Sequence, residues 1–237
     1  MKIALLGYGK MGHEVEKAAL QRNHKIVVTI DNDEEWENKN QMLSKADIAI
    51  DFSQPEKAAA NINRCFDIHL PIVVGTTAWY DQLDPIKRRC CEEKQSLFYA
   101  PNFSIGMNMM FKMNKMMAKF AETYHYDLSL AETHHIHKLD KPSGTAAKLA
   151  NDIVDSNDHY TSWSIDEKDK DGVLFIDVKR EGEVNGIHKT IARSAVDEIT
   201  ISHEAFSRQG FAIGAIVAAE FLVGKTGCYT MDDMLHI

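Results

Sequence analysis

The stretch ETHHIHKLDKPSGTAAKLA, residues 132–150, places His134, His135, His137, Lys138 and Lys141 just ahead of a helix-like run beginning near Ser143, Gly144 and Thr145. Three chemistries compete for it. Zinc needs three or four converging ligands, and His134, His135 and His137 are too crowded along the chain to converge easily, so no metal is expected. A solvated basic loop would tolerate the mixture. An anion site with acid–base groups uses all of it. Ser143 and Thr145 could cap the helix, Gly144 exposes its backbone, and the free N–H groups of a helix start attract a carboxylate. A histidine titrates near neutrality and a lysine responds to its surroundings, so Lys138 and a neighbouring histidine would bind or protonate the same molecule.

A second constellation lies at the start of the chain. GYGKMG, with Gly7, Gly9 and Gly12, fits G-x-G-x-x-G, follows an apolar strand and opens a helix. Asp31 closes the next apolar strand. Together these make the dinucleotide fingerprint: a tight turn, close approach of the pyrophosphate, close helix–strand packing and an acid for the ribose hydroxyls. Asp31 would repel a 2′-phosphate, so NADH should bind at least as well as NADPH, with Lys10 near enough to soften the preference. Gly75, Thr76 and Thr77 end one parallel strand, and Ala100, Pro101, Asn102 and Phe103 end another. Ligands of open parallel sheets bind outside such ends.

These motifs need elements to hold them. Apolar strands at 2–6, 25–31, 46–53, 70–77 and in SLFYAPNF alternate with helices, which predicts a parallel sheet covered on both faces. After Phe103 the rhythm changes. A Met-rich helix (Met107, Met110, Met113 and Met117 in a packing stripe) precedes strands of period two in YDLSLAET, GVLFIDVKREG, HKTIARSA and DEITISHEA. The fold class expected is α/β: a Rossmann-type dinucleotide-binding domain (1–103 plus 208–237) and a second α+β domain on a mixed sheet (104–207). Residues 155–171 read as a polar loop. FAIGAIVAAEFLVG, 211–224, is too short to span a membrane and reads as a buried helix closed by Gly224.

The 237 residues carry a net charge of −8, which argues against nucleic acid as a partner but leaves room for a small anion held by local cations. Cys65, Cys90, Cys91 and Cys228 form no disulfide framework, and the N-terminus lacks a signal-peptide pattern, so a cytoplasmic protein is expected.

The 132–150 segment resembles the signature of the 4-hydroxy-tetrahydrodipicolinate reductase (dihydrodipicolinate reductase) family. GYGKMG, IDFSQPE, PIVVGTT, APNFSIGMN, REGEVNGIH and ISHEAFSRQGFAIGA follow in that family's order, so the resemblance covers nearly the whole chain. It implies an NADH- or NADPH-dependent reductase of the diaminopimelate route to lysine. His134 would be its acid–base histidine and Lys138 its proton donor. His135, Ser143, Gly144 and Thr145 would form the pocket for a cyclic dicarboxylate. Gly7, Tyr8, Gly9, Lys10, Met11, Gly12, Asp31, Gly75, Thr76, Thr77, Ala100, Pro101, Asn102 and Phe103 would contact the cofactor. The second domain would build a homotetramer. Two departures stand out: Ala78 replaces the usual glycine after GTT, and the segment from Asp31 to Asp47 is short, so its crossover helix could be trimmed. The rival readings are another two-domain reductase, such as a semialdehyde dehydrogenase with a nucleophilic cysteine, and a non-catalytic NADH sensor. REGEVNG reads as a closure hinge or a hairpin turn, and Arg208 as either a ligand contact or a junction cap.

Overall fold

The computed structural model describes residues 1–236, which divide into two units, Met1–Ile105 together with the chain from Arg208, and Gly106–Ser207. The first unit is built from β1 (Lys2–Leu6), α1 (Lys10–Gln21), β2 (Lys25–Ile30), α2 (Asp33–Lys39), β3 (Ile48–Asp51), α3 (Pro55–Asp67), β4 (Ile72–Val74), α4 (Leu83–Glu92) and β5 (Ser96–Tyr99). Its sheet runs β11-β5-β4-β3-β1-β2 with every pair parallel. The edge strand β11 (Gly227–Tyr229) and the short α8 (Met231–Leu235) come from the C-terminal segment. Because β1 lies between β2 and β3, the chain reverses its winding at the end of β1, where a Rossmann-type sheet opens a crevice for ligand.

The strands are near-continuous apolar runs because both sheet faces are covered. Ile3, Leu5, Ile48, Ile50 and Phe98 pack under α1 and the apolar α7 (Gln209–Leu222), while Leu6, Ala49, Ile72, Val74 and Leu97 pack under α3 and α4. Gly224 follows α7 at φ +79°, a conformation that glycine adopts without a Cβ penalty. Among the described residues, no helix is long and apolar enough to cross a membrane. The 31–47 crossover keeps a helix, but only the seven residues of α2 and a 3-10 segment at Asn40–Lys45.

The second unit has α5 (Ile105–Tyr124), β6 (Asp127–His134), α6 (Gly144–Val154), β7 (Ser162–Ser164), β8 (Val173–Arg180), β9 (Ile187–Arg193) and β10 (Glu198–Glu204). The sheet order is β10-β9-β6-β8-β7, with β8 parallel to both β6 and β7, and β9 antiparallel to both β6 and β10. The polar segment 155–171 is therefore not all loop: Ser162–Ser164 pairs with β8 as an edge strand. Met107, Met110 and Met117 join Leu128, Leu130, Leu149, Ile153, Leu174 and Ile176 in the core, whereas Met113 faces solvent.

Candidate functional site

The glycines of the first loop divide their tasks. Gly7 sits at φ +86°, and a Cβ there would meet the Phe52 carbonyl oxygen at 2.3 Å. A Cβ at Gly12 would lie 2.5 Å from the Gly7 oxygen, so this glycine lets α1 approach the strand. At Gly9 a Cβ would meet nothing within 4 Å, and no side chain caps α1 there. The first N–H groups of the helix, from Lys10 and Met11, have no partner within the helix and no side-chain cap, the arrangement a pyrophosphate requires. Asp31 sits just beyond β2 with its Oδ1 accepting from the Tyr8 N–H at 2.6 Å, which fixes the carboxylate against the glycine loop.

Met11, Phe52, Ser53, Pro55, Gly75, Thr76 and Thr77 line a cavity of about 220 Å³. Beneath it lies Asp51, fully buried at the end of β3. Its carboxylate accepts from Thr76 Oγ1, Asn61 Nδ2 (2.7 Å), and the Ser53 N–H and Oγ (3.1 and 2.9 Å). Burial raises its pKa, and those four donors pull the other way. Asp51 thus ties the loop after β3 to the loop after β4. Trp79, buried, anchors the second loop by donating from Nε1 to the Thr76 carbonyl at 2.8 Å. Ala78 stands between them at φ +61°, the left-handed region that a glycine enters without a Cβ penalty.

The segment after β5 turns at once, so APNF is loop and not strand. Ala100 and Phe103 are core residues, and Phe103 lies so near Gly214 of α7 that a Cβ at 214 would strike its carbonyl. Their side chains serve packing, so any contact they make with a ligand falls to the backbone. Pro101 is exposed, and Asn102 Oδ1 accepts from the Ser104 N–H at 2.9 Å.

In the second unit β6 alternates buried and partly exposed residues, and its buried series runs Leu128, Leu130, Glu132, His134. The period of two that fills the core thus turns polar at the strand's carboxyl end. Glu132 is 1% exposed. It accepts from the Ser143 N–H at 3.1 Å and pairs through Oε1 with Arg180 Nη2 at 3.1 Å. Its Oε2 lies 3.4 Å from His134 Nδ1 and 3.7 Å from His188 Nε2. A buried carboxylate with one guanidinium and a backbone donor is satisfied where a lone one would not be.

Ser143 caps α6, its Oγ accepting from the Ala146 N–H at 3.1 Å and standing 3.2 Å from His188 Nε2. Thr145, expected as a possible cap, lies inside the first turn. Gly144 and Thr145 supply the first two N–H groups of α6, which have no partner within a helix. Lys138 Nζ pairs with Asp140 Oδ1 at 2.8 Å, and the Lys138 and Asp140 carbonyls accept from Arg180. The connection from β8 to β9 passes over the end of β6 and pins the signature: Glu181 N–H donates to the His134 carbonyl, His135 N–H to Val184 and Ile136 N–H to Gly182. REGEVNG is therefore a clasp on the loop of His134 and His135, neither a free hinge nor a simple hairpin. His137 points away, exposed and paired with Glu183. Arg208 is exposed at the start of α7.

Burial pushes the His134 pKa down. Glu132 opposes this, and Lys138 and Arg180 reinforce it. Burial pushes His188 down to about 4. At neutral pH both imidazoles are uncharged, and the positive charge of the site rests on Lys138 and Arg180. Glu132, Arg180 and His188 were not singled out as site residues by sequence reasoning. The one available signal was the alternation in YDLSLAET, which puts Glu132 on the buried face.

Comparison with known proteins agrees with this layout. The dihydrodipicolinate reductase N-terminal model matches residues 1–103 and the C-terminal model residues 106–235. A 4-hydroxy-tetrahydrodipicolinate reductase from Christiangramia forsetii is 44% identical over 99% of this chain and 98% of its own. One from Archaeoglobus fulgidus is 33% identical over the full length of both. A dipicolinate-bound dihydrodipicolinate reductase from Paenisporosarcina sp. TG-14 shares the fold with a TM-score of 0.81 at 22% identity, over 98% of each chain. Two family models in tandem over both units, and relatives matched end to end, place the chain in the dihydrodipicolinate reductase family.

Proposed function

We propose that the chain reduces 4-hydroxy-tetrahydrodipicolinate to tetrahydrodipicolinate with NADH or NADPH, in the diaminopimelate route to lysine. The observation that carries the reading is the buried Glu132, which braces the Lys138 loop through Arg180 and the start of α6 through Ser143. One carboxylate thereby organises both a cation and a helix N-terminus, the two features that would grip a small dicarboxylate.

The substrate loses its hydroxyl as water, giving a conjugated imine. Bound nicotinamide would supply the hydride to ring C4. Gly144 and Thr145 N–H groups would hold one carboxylate, with His135 beside it. The Lys138 ammonium would deliver the proton to the carbon next to the site of attack, balancing the negative charge the ring acquires. Neutral His134 would hydrogen-bond to the developing enamine and not add a second cation. In the first unit the helix start at Lys10 would hold the pyrophosphate, and Gly75 to Thr77 with the Ala100–Phe103 backbone would line the nicotinamide end. Asp31 would meet the ribose hydroxyls and disfavour a 2′-phosphate.

The semialdehyde-dehydrogenase reading is weakened by its cysteines. Cys65 and Cys90 are buried and their thiols are pushed up, and Cys91 faces solvent on α4. A homotetramer agrees with the apolar stripe that α5 leaves exposed, Met109, Met113, Met116, Phe120 and Tyr124. The test is a coupled assay in which aspartate semialdehyde and pyruvate are condensed in the same tube, with NADH and NADPH run side by side. Consumption dependent on the condensation supports the reading, with NADH used at least as well as NADPH. Cofactor binding without consumption would favour the sensor.

A further inference from the structure

Crowding along the chain argued against a metal at His134, His135 and His137, but folding assembles a different trio. Glu132, His134 and His188 are all buried, and one ligand atom from each lies within 4.8 Å of the others. Ligands around four-coordinate zinc, with bonds of about 2.0–2.2 Å, stand roughly 3.3–3.6 Å apart. Of the separations from Glu132 Oε2, that to His134 Nδ1, 3.4 Å, falls in this range, and that to His188 Nε2, 3.7 Å, lies just beyond it. His134 Nδ1 is buried and has no hydrogen-bond partner among the described residues, Glu132 Oε2 standing off at 3.4 Å. Arg180 engages Oε1, which turns Oε2 toward the histidines and gives the carboxylate the outer-shell support a metal ligand needs.

We propose that Glu132, His134 and His188 form a site for Zn²⁺, and that its occupancy inhibits the enzyme by taking the lone pair of His134. Arg180 and Lys138 oppose an added cation, which makes the site weaker than a structural zinc site. The fourth position is left for water or a substrate carboxylate. The inhibitory half of this inference rests on the proposed reduction; the binding half does not.

Chelator-stripped full-length protein is titrated with Co²⁺ and then Zn²⁺. The expected result is the intense visible absorption of four-coordinate cobalt, abolished by zinc, together with loss of turnover that EDTA reverses. His188→Gln should weaken cobalt binding by at least about tenfold, because losing even an outer-shell partner costs about 10–100-fold. His137→Ala should leave it unchanged. A zinc-soaked crystal of the wild-type protein gives an answer even if His188→Gln fails to fold: the anomalous peak should lie among Glu132, His134 and His188. A peak elsewhere, or cobalt affinity unchanged in His188→Gln, overturns the site. Zinc bound at this trio with turnover undiminished overturns the inhibition and removes His134 from the chemistry, while the site itself stands.

Discussion

Gly186 lies against the His134 imidazole: a Cβ at position 186 would stand 3.0 Å from His134 Nε2 and 3.3 Å from Cδ2. Gly186 also holds φ +156°, in the range that side chains rarely adopt. The clasp that crosses the end of β6 therefore presses backbone, and not side chain, onto the ring. Gly186→Ala should tilt or displace His134. A misplacement of about 1 Å can cost about a hundredfold in rate, so kcat/KM should fall between about ten- and a hundredfold. NADH affinity, measured by fluorescence titration, should not change.

Arg180 and Glu132 form the buried ion pair on which the rest of the second site leans. Arg180→Met leaves Glu132 as a buried, uncompensated charge and should cost about 3–5 kcal/mol in urea denaturation. The double variant Arg180→Met/Glu132→Gln removes that charge and should recover part of the loss. A single variant as stable as wild type would show that Glu132 is protonated or that its charge is met without Arg180.

Ala78 carries the opposite kind of strain. An L-residue in the left-handed region costs roughly 1–2 kcal/mol, and glycine at the same place loses some of that gain to chain entropy. Ala78→Gly should therefore raise stability by about 0.5–1 kcal/mol, read from the urea midpoint at constant m-value. Since Ala78 sits between Thr76 and the buried Trp79, a changed KM for NADH in this variant would report on how the strained loop shapes the proposed cofactor site.

The neutral histidines make stability depend on pH. His188 falls from 6.5 in the unfolded chain to about 4 in the folded one, so the unfolded state binds the proton first as pH drops. Stability contributed by the uncharged ring is complete above pH 6.5, declines through the interval below it, and is lost once pH passes about 4. The loss attributable to His188 amounts to about 3 kcal/mol, and His134 and His203, also lowered by burial, act in the same direction. Urea midpoints measured across this range should fall with pH, and less steeply in His188→Gln. A flat profile would show that these rings are charged in the folded protein.

Local pattern made the first unit legible. Continuous apolar strands, a glycine loop at a strand end and an acid after β2 each follow from neighbouring residues. Its misjudged ends, such as Ala100–Phe103 taken for strand, depend on where α7 packs, which no local pattern records. In the second unit the sequence exposed His134, Lys138 and Ser143 because they crowd into one segment. It hid Arg180 and His188 because β8 and β9 flank β6 only in the folded sheet. Glu132 lay in plain view, but its importance comes from partners 11 and 48 residues away. The same pairing explains why a zinc site looked unattainable from spacing: two of the three ligands lie on β6 and the third arrives from β9.

The most direct test of the account is turnover of the double variant His134→Ala/Lys138→Ala beside its NADH affinity. Without an ammonium to deliver the proton and an imidazole to support the enamine, the reaction should cease while the glycine loop, in the other unit, still binds NADH with wild-type affinity. Turnover within about tenfold of wild type, less than 1.4 kcal/mol in the barrier, would contradict the assignment of these two residues to the chemistry.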